Sequence, residues 1–224
     1  MKLRVKIHNP ISIREKVYSA IRSEIFRGRY PRGERVVETQ LAKEINTSRT
    51  PVREALHMLE REGLLEAIPR VGYKVREIQW NEVQEICEIR AVNEILAARW
   101  AMKRITAQEI GALEQNLAIA EKELKSGRPE AFVELDGEFH EILVNASRSK
   151  HLMELCQLLR HRMLIYRIES LYLPDPVLGA IRGHRNIINC LKKKDRKGLE
   201  RAIRDHLEFA KKSIQTHIRW NEVK

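Results

Sequence analysis

Apolar residues recur at steps of three and four along most of the chain, the period of a helix with one buried face. Val17, Ile21, Ile25 and Phe26 predict a helix over 11–27, stopped by Gly28. Arg29-Tyr30-Pro31-Arg32-Gly33 reads as a turn. Leu41, Ala42 and Ile45 mark a short helix over 38–45. Asn46-Thr47-Ser48 then supplies a polar turn and an N-cap. Pro51 falls in the first turn of the next helix, where its missing N–H costs nothing. Val52, Ala55, Leu56 and Leu59 carry that helix to about Glu62, and Gly63 suits its end. Beyond it the period shortens. Leu64–Ile68 and Tyr73–Arg76 are β-capable runs around Pro69-Arg70-Val71-Gly72, which predicts a hairpin. Helix, helix, turn, helix, hairpin is the order of a winged helix-turn-helix.

From Trp80 the pattern is of long amphipathic segments with few breakers. The first spans 81–104, with Ile86, Ile89, Val92, Leu96 and Trp100 as its stripe. Thr106 and Glu109 form a capping box that opens the second, to about Ser126. Pro129 opens the third, to Ala146. The fourth covers 149–169. Asp175-Pro176 starts the fifth, to Lys194, and the last runs from Asp195 to about His217. Six helices with short joins predict an antiparallel bundle. The fold class is thus mainly α: a winged helix-turn-helix domain over 1–76, a short linker at 77–80, and an all-helical domain over 81–224. The join is not Gly/Ser-rich, so limited freedom between the halves is expected.

Composition agrees and adds a partner. With 43% hydrophobic residues the chain can bury cores, and 10 Gly and 7 Pro leave little room for an all-β fold. The formal net charge is +11. Residues 1–76 hold 17 Lys and Arg against 9 Asp and Glu, whereas residues 77–224 hold 25 against 22. The excess is concentrated in the first third, which points to double-stranded DNA as its partner. Cys87, Cys156 and Cys190 are scattered and odd in number, which argues against a disulfide framework and for a reducing compartment. No apolar leader or membrane-length run is visible, so the expected location is cytoplasmic with no membrane partner.

Arg49 and Arg53 lie four apart at the start of the third helix, with Ser48 and Thr50 beside them. A recognition helix enters the major groove by its N-terminus, and arginine is suited to guanine O6 and N7. The competing reading pairs Arg53 with Glu60 or Glu38 on a solvated face. In the bundle, Asp136 and His140 lie one turn apart beside the stripe Phe132, Leu135, Phe139 and Ile142. His184 falls within the stripe Ile181, Ile188 and Leu191. His206 falls within Leu199, Ala202, Ile203, Phe209 and Ala210. One carboxylate and three imidazoles therefore face a bundle interior, and such donors suit Zn, Ni, Co, Fe or Mn. The competing reading is of ordinary core histidines, since His151, His161 and His217 show that the residue is frequent here. No further acidic residue is expected on these stripes, which weighs against a metalloenzyme.

Gln40-Leu41-Ala42-Lys43-Glu44-Ile45-Asn46-Thr47-Ser48-Arg49-Thr50-Pro51-Val52-Arg53-Glu54-Ala55-Leu56, followed by Leu59-Glu60-Arg61-Glu62-Gly63-Leu64, resembles the signature of the GntR family of bacterial transcription factors. The resemblance implies DNA contacts by Arg49, Arg53, Ser48 and Thr50, and a wing tip around Arg70 and Gly72. Many members carry a DNA-reaching arginine in the preceding helix; here that position is Thr39, and Arg35 becomes the substitute candidate. Asp136-Gly137-Glu138-Phe139-His140, His184-Arg185-Asn186 and Asp205-His206-Leu207 resemble the FCD effector domain of the FadR-type branch. That resemblance implies a metal held by Asp136, His140, His184 and His206, with Zn and Ni foremost. Glu88-Ile89-Arg90 resembles the branch's inward arginine, which implies that Arg90 meets a small carboxylate effector; a salt bridge to Glu94 or Glu85 is the alternative. The function implied is a ligand-responsive repressor, a homodimer on a palindromic operator. The alternatives are a metalloenzyme, or a structural-metal domain, fused to a DNA-binding module.

Overall fold

The computed structural model describes residues 12–26, 28–77 and 79–222. The chain divides into two compact units between Glu77 and Ile78. The expected first residue of the opening helix, Ile11, and the linker residue Ile78 lie outside the described residues, as do the side chains of Phe26 and His217.

The first unit contains α1 (Ile13–Phe26), β1 (Arg35–Val36), α2 (Glu38–Glu44), α3 (Arg49–Arg61), β2 (Leu65–Ile68) and β3 (Gly72–Val75). Val17 and Ile21 of α1, Val52, Leu56 and Leu59 of α3, and Leu65 and Val75 of the sheet are all buried. The hairpin is present, but it is part of a three-stranded antiparallel sheet in the order β1-β3-β2. Arg35 and Glu66 flank Lys74 from the two sides. Sequence reading placed no strand at Arg35-Val36, because two residues are too short to show alternation. Gly72 has a φ of +137°, and a Cβ there would stand 3.0 Å from the Val36 carbonyl oxygen. The glycine is what lets β1 close on the wing. Ser48 takes the N-cap position of α3, but its hydroxyl makes no capping hydrogen bond.

The second unit contains α4 (Trp80–Arg104), α5 (Ala107–Lys125), α6 (Phe132–Asn145), α7 (Lys150–Arg167), α8 (Pro174–Lys192) and α9 (Arg196–Glu222). The Thr106–Glu109 capping box forms in both directions. Pro129 opens a short 3-10 turn rather than α6, and α8 begins at Pro174 with Leu173 at its N-cap. The core gathers Leu113, Phe132, Phe139, Ile181, Ile187, Leu199 and Ile203 from four helices, α5, α6, α8 and α9.

The phase of α4 corrects the sequence reading. Ile89, Val92 and Trp100, taken as its buried stripe, are exposed, Val92 by 65%. The inward face carries Val83, Cys87, Arg90, Glu94, Ala97, Ala98 and Ala101. Large apolar residues on two sides of one helix give no single stripe, and the alanines and the ion pair that face inward score as weakly hydrophobic.

Candidate metal centre, anion cavity and nucleic-acid interface

α6 carries Asp136 and His140 on successive turns, so both side chains leave its inward face. α8 brings His184 and α9 brings His206 to the same point. Asp136, His140, His184 and His206 are all buried, and one ligand atom from each lies within 4.8 Å of the others. His184 stacks on Phe139 with ring centroids 3.7 Å apart. Gly183 makes room for His206: a Cβ on Gly183 would stand 2.6 Å from its Nδ1.

Apart from Asp136 Oδ2, the polar atoms of these side chains find no hydrogen bond in the protein. Asp136 Oδ1 and both ring nitrogens of His140, His184 and His206 are buried without a hydrogen-bond partner. Leaving one buried polar group unmade costs about 1–3 kcal/mol, and here such atoms converge. Burial would raise the Asp136 carboxyl, but Arg167 foremost outweighs it and holds it at about 2. Burial brings His184 down to about 4 and takes His140 and His206 well below the usual histidine range. An ionised carboxylate and neutral imidazoles are the forms that ligate a metal. The residues thus fit a divalent transition ion, and the donor set does not choose among zinc, nickel, cobalt, iron and manganese.

Glu94, on α4, is the acidic residue that sequence reading did not place here. It is 4% exposed, and its Oε2 lies 3.5 Å from His140 Nδ1. Its Oε1 accepts from Arg90 Nε at 2.8 Å. Arg90 is therefore salt-bridged to Glu94, while Glu85 is exposed and takes no part. Burial works against the charge of Arg90, and Glu94 more than restores it.

Arg90 also lines a cavity of about 230 Å³, together with Asp136, Gln157, Arg160, His161 and Arg167. Arg167 Nη1 donates to Asp136 Oδ2 at 3.2 Å. Arg160 Nη1 donates to the Gly137 carbonyl, and burial lowers its pKa. The cavity thus collects three buried or half-buried guanidinium groups and shares a wall, Asp136, with the histidine cluster. The α7 contribution was missed, although Gln157, Arg160, His161, Leu164 and Arg167 follow helical spacing. A polar face looked like a solvated one.

In the first unit, Arg49 and Arg53 project from the start of α3 with side chains 60% and 54% exposed. Both are paired with Glu38 of α2, whereas Glu60 pairs with His57. Ser48, Thr50, Arg35 and Thr39 are exposed, as is Arg70, which takes a left-handed φ of +65° in the wing turn beside Gly72.

Comparison with known proteins agrees with this division. Residues 13–75 match the description "Bacterial regulatory proteins, gntR family", and residues 85–209 match the FCD domain. The chain is 32% identical over 202 residues to the uncharacterized HTH-type transcriptional regulator YdhC of Bacillus subtilis, covering 90% of each chain. It is 27% identical over 215 residues to the HTH-type transcriptional repressor RspR of Escherichia coli, covering 96% of this chain and 94% of the repressor. The solved structure of E. coli McbR/YncC shares its fold, with a TM-score of 0.68 at 22% identity over 96% of this chain and 100% of that one. These relatives are transcription regulators, and no helix among the described residues is long and apolar enough to cross a membrane. The chain belongs to the GntR family of bacterial transcriptional regulators and carries an FCD domain after its helix-turn-helix region.

Proposed function

We propose that this regulator is a cytoplasmic, ligand-responsive repressor, a homodimer on a palindromic operator, with a metal-assisted sensor for a small carboxylate in its helical domain. The observation that carries the reading is the convergence of unpartnered Asp136, His140, His184 and His206 atoms beside an arginine-lined cavity. Asp136, His140, His184 and His206 would hold a divalent ion through one atom each, and such an ion would offer a carboxylate a Lewis-acidic contact. Arg160 then supplies the charge that no acidic side chain among the described residues offsets by hydrogen bond, and Arg90 and Arg167 hold the wall in place through Glu94 and Asp136. Arg49 and Arg53 read bases, with Ser48, Thr50, Arg35, Arg70 and the wing turn at Gly72 along the backbone. The exposed apolar face of α4 (Ile89, Val92 and Trp100) supports a second copy packing there.

Metal analysis of the purified protein tests the centre. His184→Ala and His206→Ala are expected to lose the ion, and undiminished metal in both removes it. Thermal shift against a panel of small acids, with and without Arg160→Ala, tests the sensor: an active acid should raise the melting temperature and the substitution should abolish that rise. The donor count favours one second reading: four protein ligands suffice for a closed tetrahedral zinc site. A structural ion of that kind gives metal-dependent stability but no shift with any acid.

A further inference from the structure

The two arginines at the head of α3 share one carboxylate. Arg49 Nε donates to Glu38 Oε1 at 2.7 Å, Arg53 Nε to Glu38 Oε2 at 2.9 Å, and Arg53 Nη2 to Glu38 Oε1 at 3.1 Å. Both carboxylate oxygens are used. The Glu38 side chain is only 17% exposed, while both guanidinium groups remain open to solvent. Glu38 stands in the first turn of α2, a different helix from the one it clamps.

Two consequences follow from elementary chemistry. Arg49 is tied through Nε alone, so its Nη1 and Nη2 edge stays available as a fork for guanine O6 and N7. That bond restrains its side chain, so less freedom is lost on docking. Arg53 is tied along its Nε–Nη2 edge, so it must leave Glu38 to make a side-on bidentate contact. Meanwhile one carboxylate reduces the local charge of the arginine pair, which weakens attraction to phosphates of any sequence. Glu38 therefore favours contacts that use base edges over contacts that use charge alone.

We infer that Glu38 is a positioning residue for sequence discrimination: it aims Arg49 at guanine and holds the Arg49–Arg53 pair back from unspecific phosphate contact. The inference rests on the proposed reading of α3 as the base-reading helix.

The test uses the full-length protein. A half-site is first selected from a random duplex library with the unaltered protein. Binding of Glu38→Gln and Glu38→Asp to that site and to a scrambled duplex is then followed by fluorescence anisotropy over a salt series. Glu38→Gln is expected to bind scrambled DNA more tightly, with a salt slope steeper by about 0.9, the value for one more phosphate contact. Its ratio of selected-site to scrambled affinity should fall about tenfold or more, the scale of one bidentate base contact. Glu38→Asp keeps the charge but shortens the reach; its ratio should fall with the slope unchanged. Parallel loss on both duplexes with no change in slope would make Glu38 merely structural and overturn the inference. So would a changed preference at one base pair alone, which would mean that Glu38 itself accepts from cytosine. Arg49→Ala and Arg53→Ala in the same assay separate the two levels. Unchanged binding in both removes the reading of α3; loss in both beside an unaltered Glu38→Gln ratio removes only the role of Glu38.

Discussion

Glu94 illustrates how much one buried carboxylate can organise. Oε1 holds Arg90, which lines the cavity, and Oε2 faces His140 Nδ1 at 3.5 Å. With Nδ1 turned toward Glu94, His140 Nε2 points toward Asp136 Oδ1, 3.9 Å away. A carboxylate behind a ligating imidazole fixes its tautomer and orientation, and losing such a partner costs about 10–100-fold in metal affinity. Glu94→Gln is expected to weaken metal retention on that scale in a chelator competition, with the helical content retained. Unaltered retention would show that His140 is held by packing alone. At this scale the sequence was informative where a polar residue interrupted an apolar stripe, as His184 and His206 do. It offered Glu94 as a salt-bridge partner of Arg90 but not the burial of the pair beside His140, because a buried ion pair four residues apart on a helix is indistinguishable by spacing from an exposed one.

Between elements, the closest approach shown by a glycine is that of α8 to α9. Cβ atoms at Gly179 and Gly183 would stand 2.0 Å from the Phe209 ring and 2.6 Å from His206 Nδ1. These two positions, one turn apart, let α9 seat its histidine against α8. Gly183→Ala is expected to displace His206 and lower metal retention. Gly111, within α5, offers the contrast: a Cβ there meets nothing within 4 Å. Gly111→Ala is therefore expected to stabilise by about 0.5–1 kcal/mol, since glycine costs that much in a helix interior. Thermal denaturation with and without chelator reads both. A Gly183→Ala protein with full metal and unchanged melting would refute the close-packing account. Helix order and the capping box were legible because they depend on local periodicity and local hydrogen bonds. β1 was not, since two residues become a strand only through the wing against which they pair. Nor was the cavity face of α7, because nothing in a polar stripe says what covers it.

For the molecule as a whole, charge and chemistry are divided between two units. The basic excess lies in residues 1–76, and the buried donor cluster lies beyond residue 130. Salt dependence of DNA binding counts the phosphates neutralised, so it belongs to the first unit. On the proposed reading, occupancy of a sensor in the second unit would reach the operator only as a coupling free energy. These two influences should be separable on one binding curve. Chelation, or His206→Ala, is expected to shift operator affinity and abolish its response to the active acid, while the slope of log affinity against log salt stays the same. Arg70→Ala, a wing-turn substitution, should instead flatten that slope by about 0.9 for one lost phosphate contact and leave the acid response intact. Linkage adds a quantitative check: the factor by which the acid changes operator affinity must equal the factor by which operator DNA changes acid affinity. Anisotropy for the first and calorimetry for the second give both factors on the same metal-loaded protein. A salt slope that changes on chelation would mean that the ion reorganises the DNA-contacting surface itself, rather than biasing how often that surface engages.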